Sequence, residues 1–137
     1  PVVEFAFGVG GTDKKNSSSA LVKVEIGGPA LSVREWGSWI VLADHGTSKV
    51  KELTVLPGKS LSIQRHFKRS ELWMVSEGQC TIEREEITNK TLKTFEYFNI
   101  PACDWHSITN NTDKVCKLIE IQYGSECSEE DIERHKY

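Results

Sequence analysis

The sequence has no excess of basic residues and no long apolar run, and these two absences exclude whole classes of function. Its 137 residues include 17 Lys and Arg against 20 Asp and Glu, which gives a net charge of -3. Nucleic-acid backbones are bound by clustered Lys and Arg, so we expect no nucleic-acid partner. A helix that crosses a bilayer needs about 20 apolar residues, and no run approaches that length, so we expect no membrane contact.

The sequence also lacks a CxxC pair and a recognisable export signal. Its cysteines are Cys80, Cys103, Cys116 and Cys127, and their spacing is not that of a metal or redox motif. The apolar stretch near the N-terminus, Val2–Phe7, is too short for the core of a signal peptide, and no basic segment precedes it. We therefore expect reduced thiols in a cytoplasmic protein.

The length fits one domain, but residues 1–34 differ from the rest. The segment Gly8–Ser19 contains mainly glycine, serine and charged residues, which predicts a flexible loop or a disordered arm. Ala20–Ile26 alternates and is a possible edge strand, and the breakers Gly27, Gly28 and Pro29 follow it. We interpret residues 1–34 as an N-terminal arm and residues 35–137 as the folded domain.

No long helical period interrupts residues 36–124. Short runs rich in Val, Ile, Thr and aromatic residues are separated by turn signals about every ten residues, which is typical of an antiparallel sandwich or barrel. The runs are SWIVLAD, KVKELTVLPG, SLSIQRHF, ELWMVSEG, QCTIERE, LKTFEYFNIP, WHSITNN and VCKLIEIQYG. The tail changes character: Ser128, with Asp131 three residues later, resembles a capping box, so we predict one short C-terminal helix there.

One of these runs has a polar face that contains a histidine. If Ser60–Lys68 is a strand, Leu61, Ile63 and Phe67 lie on one side, which Arg65 interrupts, and the other side is polar. The polar residues are Ser60, Ser62, Gln64, His66 and Lys68. Such a face is most often exposed to solvent. The apolar Trp73–Val75 that follows, and a second histidine downstream, favour a lined cavity instead.

That second histidine, His106, follows a turn in NIPACDWHSITNN. Together with Gln64, His66 and Glu71 it forms a plausible metal-ligand set. Imidazoles suit zinc, iron, nickel or copper, whereas carboxylate and amide oxygens also admit manganese or magnesium, so the residue types alone leave the metal open.

Two spaced motifs resemble those of the cupins. The first cupin motif is a glycine, five residues, H-x-H, three or four residues, a glutamate, six residues and a glycine. The corresponding residues here are Gly58, Gln64, His66, Glu71 and Gly78, with glutamine in place of the first histidine. The second motif ends P-x-G, two residues, H, three residues, N. It corresponds to Pro101, Cys103, His106 and Asn110, with Cys103 in place of glycine and Phe95 in place of the motif's leading glycine.

A narrower resemblance, over roughly residues 35–134, is to the cupin domain of type II mannose-6-phosphate isomerases, which is often fused to a mannose-1-phosphate guanylyltransferase. The segments WGSW, Gln64–Trp73, IPACDWHSITN and LIEIQYGSECSEEDIER carry it. It implies an all-β cupin double-stranded β-helix, a jelly-roll barrel, here expected as a stand-alone domain. The chain departs from this family at Lys68, where a histidine is common, and in the basic segment after the helix, since it stops at Tyr137.

The resemblance implies a site and a reaction. The ligands of a divalent ion would be Gln64, His66, Glu71 and His106, with zinc as the first expectation and manganese, iron or nickel as alternatives. Lys68 or Arg69 would neutralise a phosphate, and Lys68 is the stronger candidate because it shares the face of Gln64 and His66. The expected activity is a metal-dependent isomerisation of mannose 6-phosphate to fructose 6-phosphate.

Two other hypotheses stay open at this point: a non-catalytic cupin that binds a sugar or nucleotide sugar, and another cupin enzyme such as an epimerase. Trp73 and Trp105 suit packing or the cavity rim better than sugar stacking. We also expect a homodimer, because cupins often pair their edge strands.

Overall fold

The computed structural model describes residues 30–84 and 87–135, and within them the chain is entirely β-structure and loops. The strand predicted at Ala20–Ile26 lies outside the described residues. The eleven strands are β1 Leu31–Arg34, β2 Gly37–Asp44, β3 Ser48–Val55, β4 Gln64–Arg65, β5 Arg69–Glu77, β6 Cys80–Arg84, β7 Ile87–Leu92, β8 Tyr97–Ile100, β9 His106–Thr109, β10 Cys116–Gly124 and β11 Glu133–Arg134. The prediction of an all-β fold is confirmed.

The strands form two antiparallel sheets. A six-stranded sheet has the order β1-β2-β3-β10-β5-β8, and a five-stranded sheet has the order β11-β4-β9-β6-β7. Both sheets contribute to one apolar core, which includes Val55, Trp73 and Leu118 from the larger sheet and Ile82 and Ile108 from the smaller one. No helix that could cross a membrane occurs in the part of the chain that the structure describes.

The predicted C-terminal helix is wrong for residues 128–135. A turn does form at Ser128, whose hydroxyl accepts a hydrogen bond from the Glu130 amide at 3.1 Å. The turn does not continue into a helix because Glu133 and Arg134 pair with Arg65 and Gln64, as β11 against β4. Tertiary strand pairing therefore overrides the local capping signal.

The interior of the larger sheet is arranged in layers across β3, β10 and β5. Their inward residues alternate with outward ones, as a half-buried strand requires. Three rows of paired residues cross β3, β10 and β5 in that order. The first row is Lys49, Gln122 and Glu71, and the second is Lys51, Glu120 and Trp73. The third row is Leu53, Leu118 and Val75. Each of the three strands thus changes from polar to apolar inward residues along the same direction.

Candidate metal centre and substrate cavity

Three ligand-type side chains converge at the polar end of the interior. His66 follows β4, Glu71 lies in β5 and His106 begins β9, and their nearest ligand atoms all lie within 4.8 Å of one another. The His66 Nε2 atom is 3.2 Å from Glu71 Oε2, and the His106 Nε2 atom is 3.6 Å from Glu71 Oε1. All three residues are buried, with exposures of 2–3%. The structure therefore brings together three of the four residues that the motifs predicted as ligands.

Both imidazoles are oriented by backbone carbonyl groups. His66 Nδ1 lies 2.7 Å from the Asp131 carbonyl oxygen, and His106 Nδ1 lies 2.9 Å from the Asp104 carbonyl oxygen. A carbonyl oxygen only accepts, so each Nδ1 carries the hydrogen and donates it, and Nε2 is the ring nitrogen that faces Glu71. The Nε2 atom of His106 is buried without a hydrogen-bond partner. An unpartnered buried ring nitrogen of this kind fits a metal ligand.

Charge in the cluster also suits a cation. Burial lowers the pKa of His66 below its ordinary value, so that the imidazole is neutral at physiological pH. Burial by itself would raise the pKa of Glu71, but the polar contacts of this carboxylate with its neighbours His106 and Glu120 outweigh that effect and hold the pKa below its usual range. The two imidazoles and the Glu71 carboxylate are together a ligand set that can hold a divalent ion.

Gln64 and Arg69 border this cluster. Gln64 pairs directly with His106 across β4 and β9, so both side chains lie on the same face of the sheet. Gln64 also lines the cavity described below, and its amide NH₂ donates to the Ser62 carbonyl at 3.4 Å. Arg69 is buried, and its Nη2 atom is 2.9 Å from Glu71 Oε2 and 3.3 Å from His66 Nε2. A guanidinium thus contacts atoms of two prospective ligands.

The expectation that Lys68 enters the pocket is wrong. Its side chain is 54% exposed and its Nζ atom lies 3.5 Å from Glu126. The assumed alternation fails because β4 ends at Arg65 and the Asp131 carboxylate accepts hydrogen bonds from the Phe67 and Lys68 amides, at 3.0 and 2.9 Å. Phe67 is 51% exposed for the same reason. Arg69, the other predicted phosphate ligand, is the one that lines the cavity.

A cavity of about 120 Å³ opens beside the ligand cluster. Besides residues already named, its lining includes Arg34, Trp36, Trp39, Lys51, Glu120, Gln122, Glu129 and Arg134. Sequence reasoning missed these polar residues. The available signal was the alternation in KVKELTV and LIEIQYG, which places Lys51 with Leu53 and Glu120 with Leu118. A polar residue that shares a face with core leucines faces the interior.

Glu120 is a buried carboxyl group in this cavity that is not among the predicted ligands. Its Oε2 atom accepts a hydrogen bond from Trp73 Nε1 at 3.1 Å, and its Oε1 atom accepts one from Gln122 Nε2 at 3.3 Å. Burial and the nearby Glu71 carboxylate raise the pKa of Glu120 well above its ordinary value. Trp73 itself is buried and meets His106 edge-on at 5.2 Å, which agrees with its predicted packing role.

Known proteins resemble this chain in sequence and in fold. Residues 29–136 match the family described as mannose-6-phosphate isomerase C-terminal. The alginate biosynthesis protein AlgA of Pseudomonas putida is 36% identical over 104 residues, which cover 74% of this chain and 21% of AlgA. The mannose-1-phosphate guanylyltransferase of Salmonella muenchen is 37% identical over 102 residues, with the same coverages of 74% and 21%. The chain therefore spans about a fifth of the length of these relatives.

A solved structure with a similar fold is a sugar phosphate isomerase of the cupin superfamily from Silicibacter pomeroyi. It superposes with a TM-score of 0.63 at 16% identity and covers 72% of this chain and 73% of its own. At that identity the likeness concerns the fold alone, and it identifies the two-sheet architecture as a cupin fold.

Proposed function

The chain belongs to the mannose-6-phosphate isomerase C-terminal family, and from that membership we propose that it is a metal-dependent isomerase of a sugar phosphate of the mannose 6-phosphate type. The observation that carries the proposal is the convergence of His66, Glu71 and His106, with both Nδ1–H groups bound to carbonyls and the His106 Nε2 atom buried without a hydrogen-bond partner. Gln64 completes the ligand set from the strand position opposite His106.

Aldose–ketose isomerisation needs one proton moved from C2 to C1 of the sugar, a second proton moved from the C2 hydroxyl to the C1 oxygen, and stabilisation of the oxyanion that forms. A divalent cation, with zinc as our first proposal, would supply Lewis-acid stabilisation of that oxyanion when bound. Glu120 is the proposed acid–base group because it is a buried cavity carboxyl outside the ligand set. Trp73 and Gln122 fix the position of the Glu120 carboxyl oxygens, which receive the proton from one carbon and return it to the other.

The test compares metal content and turnover in the same preparations. We expect chelator-treated wild-type protein to take up about one divalent ion and to convert mannose 6-phosphate to fructose 6-phosphate only when loaded. His66→Ala and His106→Ala should lose both metal and turnover. His45→Ala is the matched control because His45 is exposed in a turn. Glu120→Gln should retain the metal and lose roughly 10²–10⁴ in kcat. A metal-loaded wild type without turnover would contradict the proposal.

The position of Arg69 favours a second candidate function, a metal-free sugar-phosphate-binding module. Its guanidinium already contacts Glu71 Oε2 and His66 Nε2, and it donates to the Ser128 carbonyl at 2.8 Å. In that case the wild type would bind mannose 6-phosphate without taking up zinc or manganese. Calorimetric titration of zinc or manganese into the wild type and into Arg69→Met separates the two functions. If only Arg69→Met binds the metal, the guanidinium occupies the cation site in the wild type, as the metal-free module requires.

A further inference from the structure

Two lysines are buried at the polar end of the barrel interior. Lys49 and Lys51 are each 5% exposed, and both project inward from β3. A buried ammonium group requires a nearby anion or another strong polar partner, because desolvation of an unpaired charge costs several kcal/mol. Lys51 lines the cavity and Lys49 lies on the same inward face of β3, so the identity of that anion indicates what this end of the interior binds.

The anion that the lysines share is Glu129. Its Oε2 atom lies 2.6 Å from Lys51 Nζ and 3.3 Å from Lys49 Nζ, while Lys49 is also 3.7 Å from Asp44. Glu129 differs from its partners because its side chain is 49% exposed and belongs to the segment between β10 and β11. That segment is held in place by its neighbours: Arg69 binds the Ser128 carbonyl, and Asp131 binds the Phe67 and Lys68 amides. Glu129 therefore has a half-exposed side chain on a backbone segment that is held in place.

Lys51 has a second contact that holds it when Glu129 leaves. Its Nζ atom lies 3.9 Å from the centre of the Trp39 ring, which is a cation–π contact. Trp39 lines the same cavity, as do the exposed Arg34 and Arg134. These side chains add apolar surface and positive charge around the lysines, and the Glu129 carboxylate lies among them.

The lysines also lie at a suitable distance from the candidate metal centre. Lys49 is adjacent to Gln122, and Gln122 is adjacent to Glu71, so two strand spacings separate the lysine from the ligand position. That separation is roughly 10 Å at about 4.8 Å per strand, which is the length scale of a hexose phosphate. Glu120 lies on the strand between them.

We propose that Lys49 and Lys51 bind the phosphate group of the substrate, and that Glu129 is an internal anion that occupies this site until the phosphate displaces it. The identity of the substrate as a sugar phosphate rests on the proposed function. The site itself rests on the lysine pair and its exchangeable carboxylate. The buried lysine pair replaces Lys68 as the phosphate-binding group, since the Lys68 side chain is exposed to solvent.

The test is calorimetric titration at low ionic strength, with inorganic phosphate and mannose 6-phosphate as probes and mannose as the uncharged comparison. We expect Lys51→Met to weaken binding of both phosphates at least 10-fold. Glu129→Gln should tighten their binding about 3-fold or more, because the competing charge is gone, and should leave the affinity for mannose unchanged. The matched control is Lys90→Met, which removes the same charge from an exposed position on β7; it should bind as the wild type does.

Equal phosphate affinity in Lys51→Met and the wild type would overturn the proposal, and so would a Glu129→Gln variant that binds phosphate no more tightly. The Glu129→Gln result decides the question even if Lys51→Met does not fold. These titrations need no turnover. If the variants show the expected phosphate affinities but the wild type does not isomerise mannose 6-phosphate, the phosphate site stands and the proposed function is wrong. If the wild type isomerises mannose 6-phosphate but the variants bind phosphate as the wild type does, the proposed function stands and the phosphate site is wrong.

Discussion

The two ends of the barrel interior differ although the same three strands build both. At one end, the inward residues of β3, β10 and β5 are Lys49, Lys51, Gln122, Glu120, Arg69 and Glu71. At the other end, they are Leu53, Val55, Leu118, Cys116, Trp73 and Val75. Trp73 lies at the boundary, with its ring in the core and its indole N–H bound to Glu120. The pairing of β10 with β3 is continuous across the boundary, so the two ends differ mainly in their inward side chains.

This difference assigns folding energy and chemistry to separate regions. Burial of apolar surface stabilises the fold by about 25 cal/mol per Å², which the apolar end supplies. Buried charges at the polar end contribute little net stability even when they are paired, because desolvation offsets their attraction. Substitutions at the apolar end should therefore change stability and leave ligand binding intact, and substitutions at the polar end should change ligand binding more than stability.

The largest effect on stability is expected for Leu118→Ala at the apolar end. Leu118 is fully buried, so loss of its side chain leaves a cavity and should lower the free energy of unfolding by about 3 kcal/mol. Urea denaturation measures this loss, and zinc titration of the folded variant should give the wild-type stoichiometry. Ile121→Ala is the matched control, since Ile121 is on the outward face of the same strand and 37% exposed. If Ile121→Ala cost as much, the interior packing would not be the source of stability.

The next effect tests the polar end through Asp131→Ala. The Asp131 carboxylate holds the Phe67 and Lys68 amides, and its own carbonyl orients His66. Loss of an outer partner of this kind typically lowers metal affinity about 10- to 100-fold, which corresponds to roughly 1.4–2.7 kcal/mol. Zinc titration measures it, with the exposed Asp113→Ala as the control. Unchanged zinc affinity in Asp131→Ala would mean that His66 is positioned by other contacts.

The sequence predicted those features of the two ends that depend on local patterns, and it failed where contacts between distant residues decide the structure. The strand alternation and the spacing of two motifs predicted an all-β fold and the approach of His66, Glu71 and His106. The all-β fold follows from the local alternation of apolar and polar residues. The approach of the three side chains follows from the resemblance of the two motifs to those of the cupins. The ligand roles, the homodimer and the cytoplasmic location stay predictions.

The failures all come from contacts between distant parts of the chain. Lys68 faces solvent because Asp131, 63 residues away, binds its amide. The C-terminal helix is absent because β11 pairs with β4. Lys51 and Glu120 were missed although the alternation places them on the faces of Leu53 and Leu118. The burial of all four residues shows that these faces are inward.

A smaller effect, and one that depends on pH, is expected for Glu129→Gln. Burial alone would raise the pKa of Glu129, but its hydrogen bonds and ion pairs with Lys51 and Lys49 outweigh burial and hold the pKa below the ordinary 4.5. A carboxylate with a lowered folded-state pKa stabilises the fold above its ordinary pKa, and that contribution disappears as the pH falls through the folded-state pKa.

Glu129→Gln should therefore lower the free energy of unfolding by about 0.5–1 kcal/mol at pH 7, because the side chain is half exposed and screened. The difference from the wild type should shrink as the pH is lowered below 4.5 and through the folded-state pKa of Glu129. Urea midpoints across this range measure it. A constant difference at every pH would show that packing, and not charge, links Glu129 to the lysines.

The smallest effect compares one strained residue at each end. Phe95 and Cys103 have φ angles of 72° and 75°, a conformation that favours glycine and that costs other residues about 1–2 kcal/mol. The Phe95 amide donates to the Val75 carbonyl at the apolar end, and the Cys103 amide donates to the His66 carbonyl at the polar end. Glycine would keep both backbone hydrogen bonds, but its greater freedom in the unfolded chain offsets part of the gain.

Phe95→Gly and Cys103→Gly should each raise the free energy of unfolding by up to about 1 kcal/mol, without any change in zinc affinity. Thermal denaturation and zinc titration of both variants check this, and weaker zinc binding in Cys103→Gly alone would mean that the strain at the polar end helps to position His66.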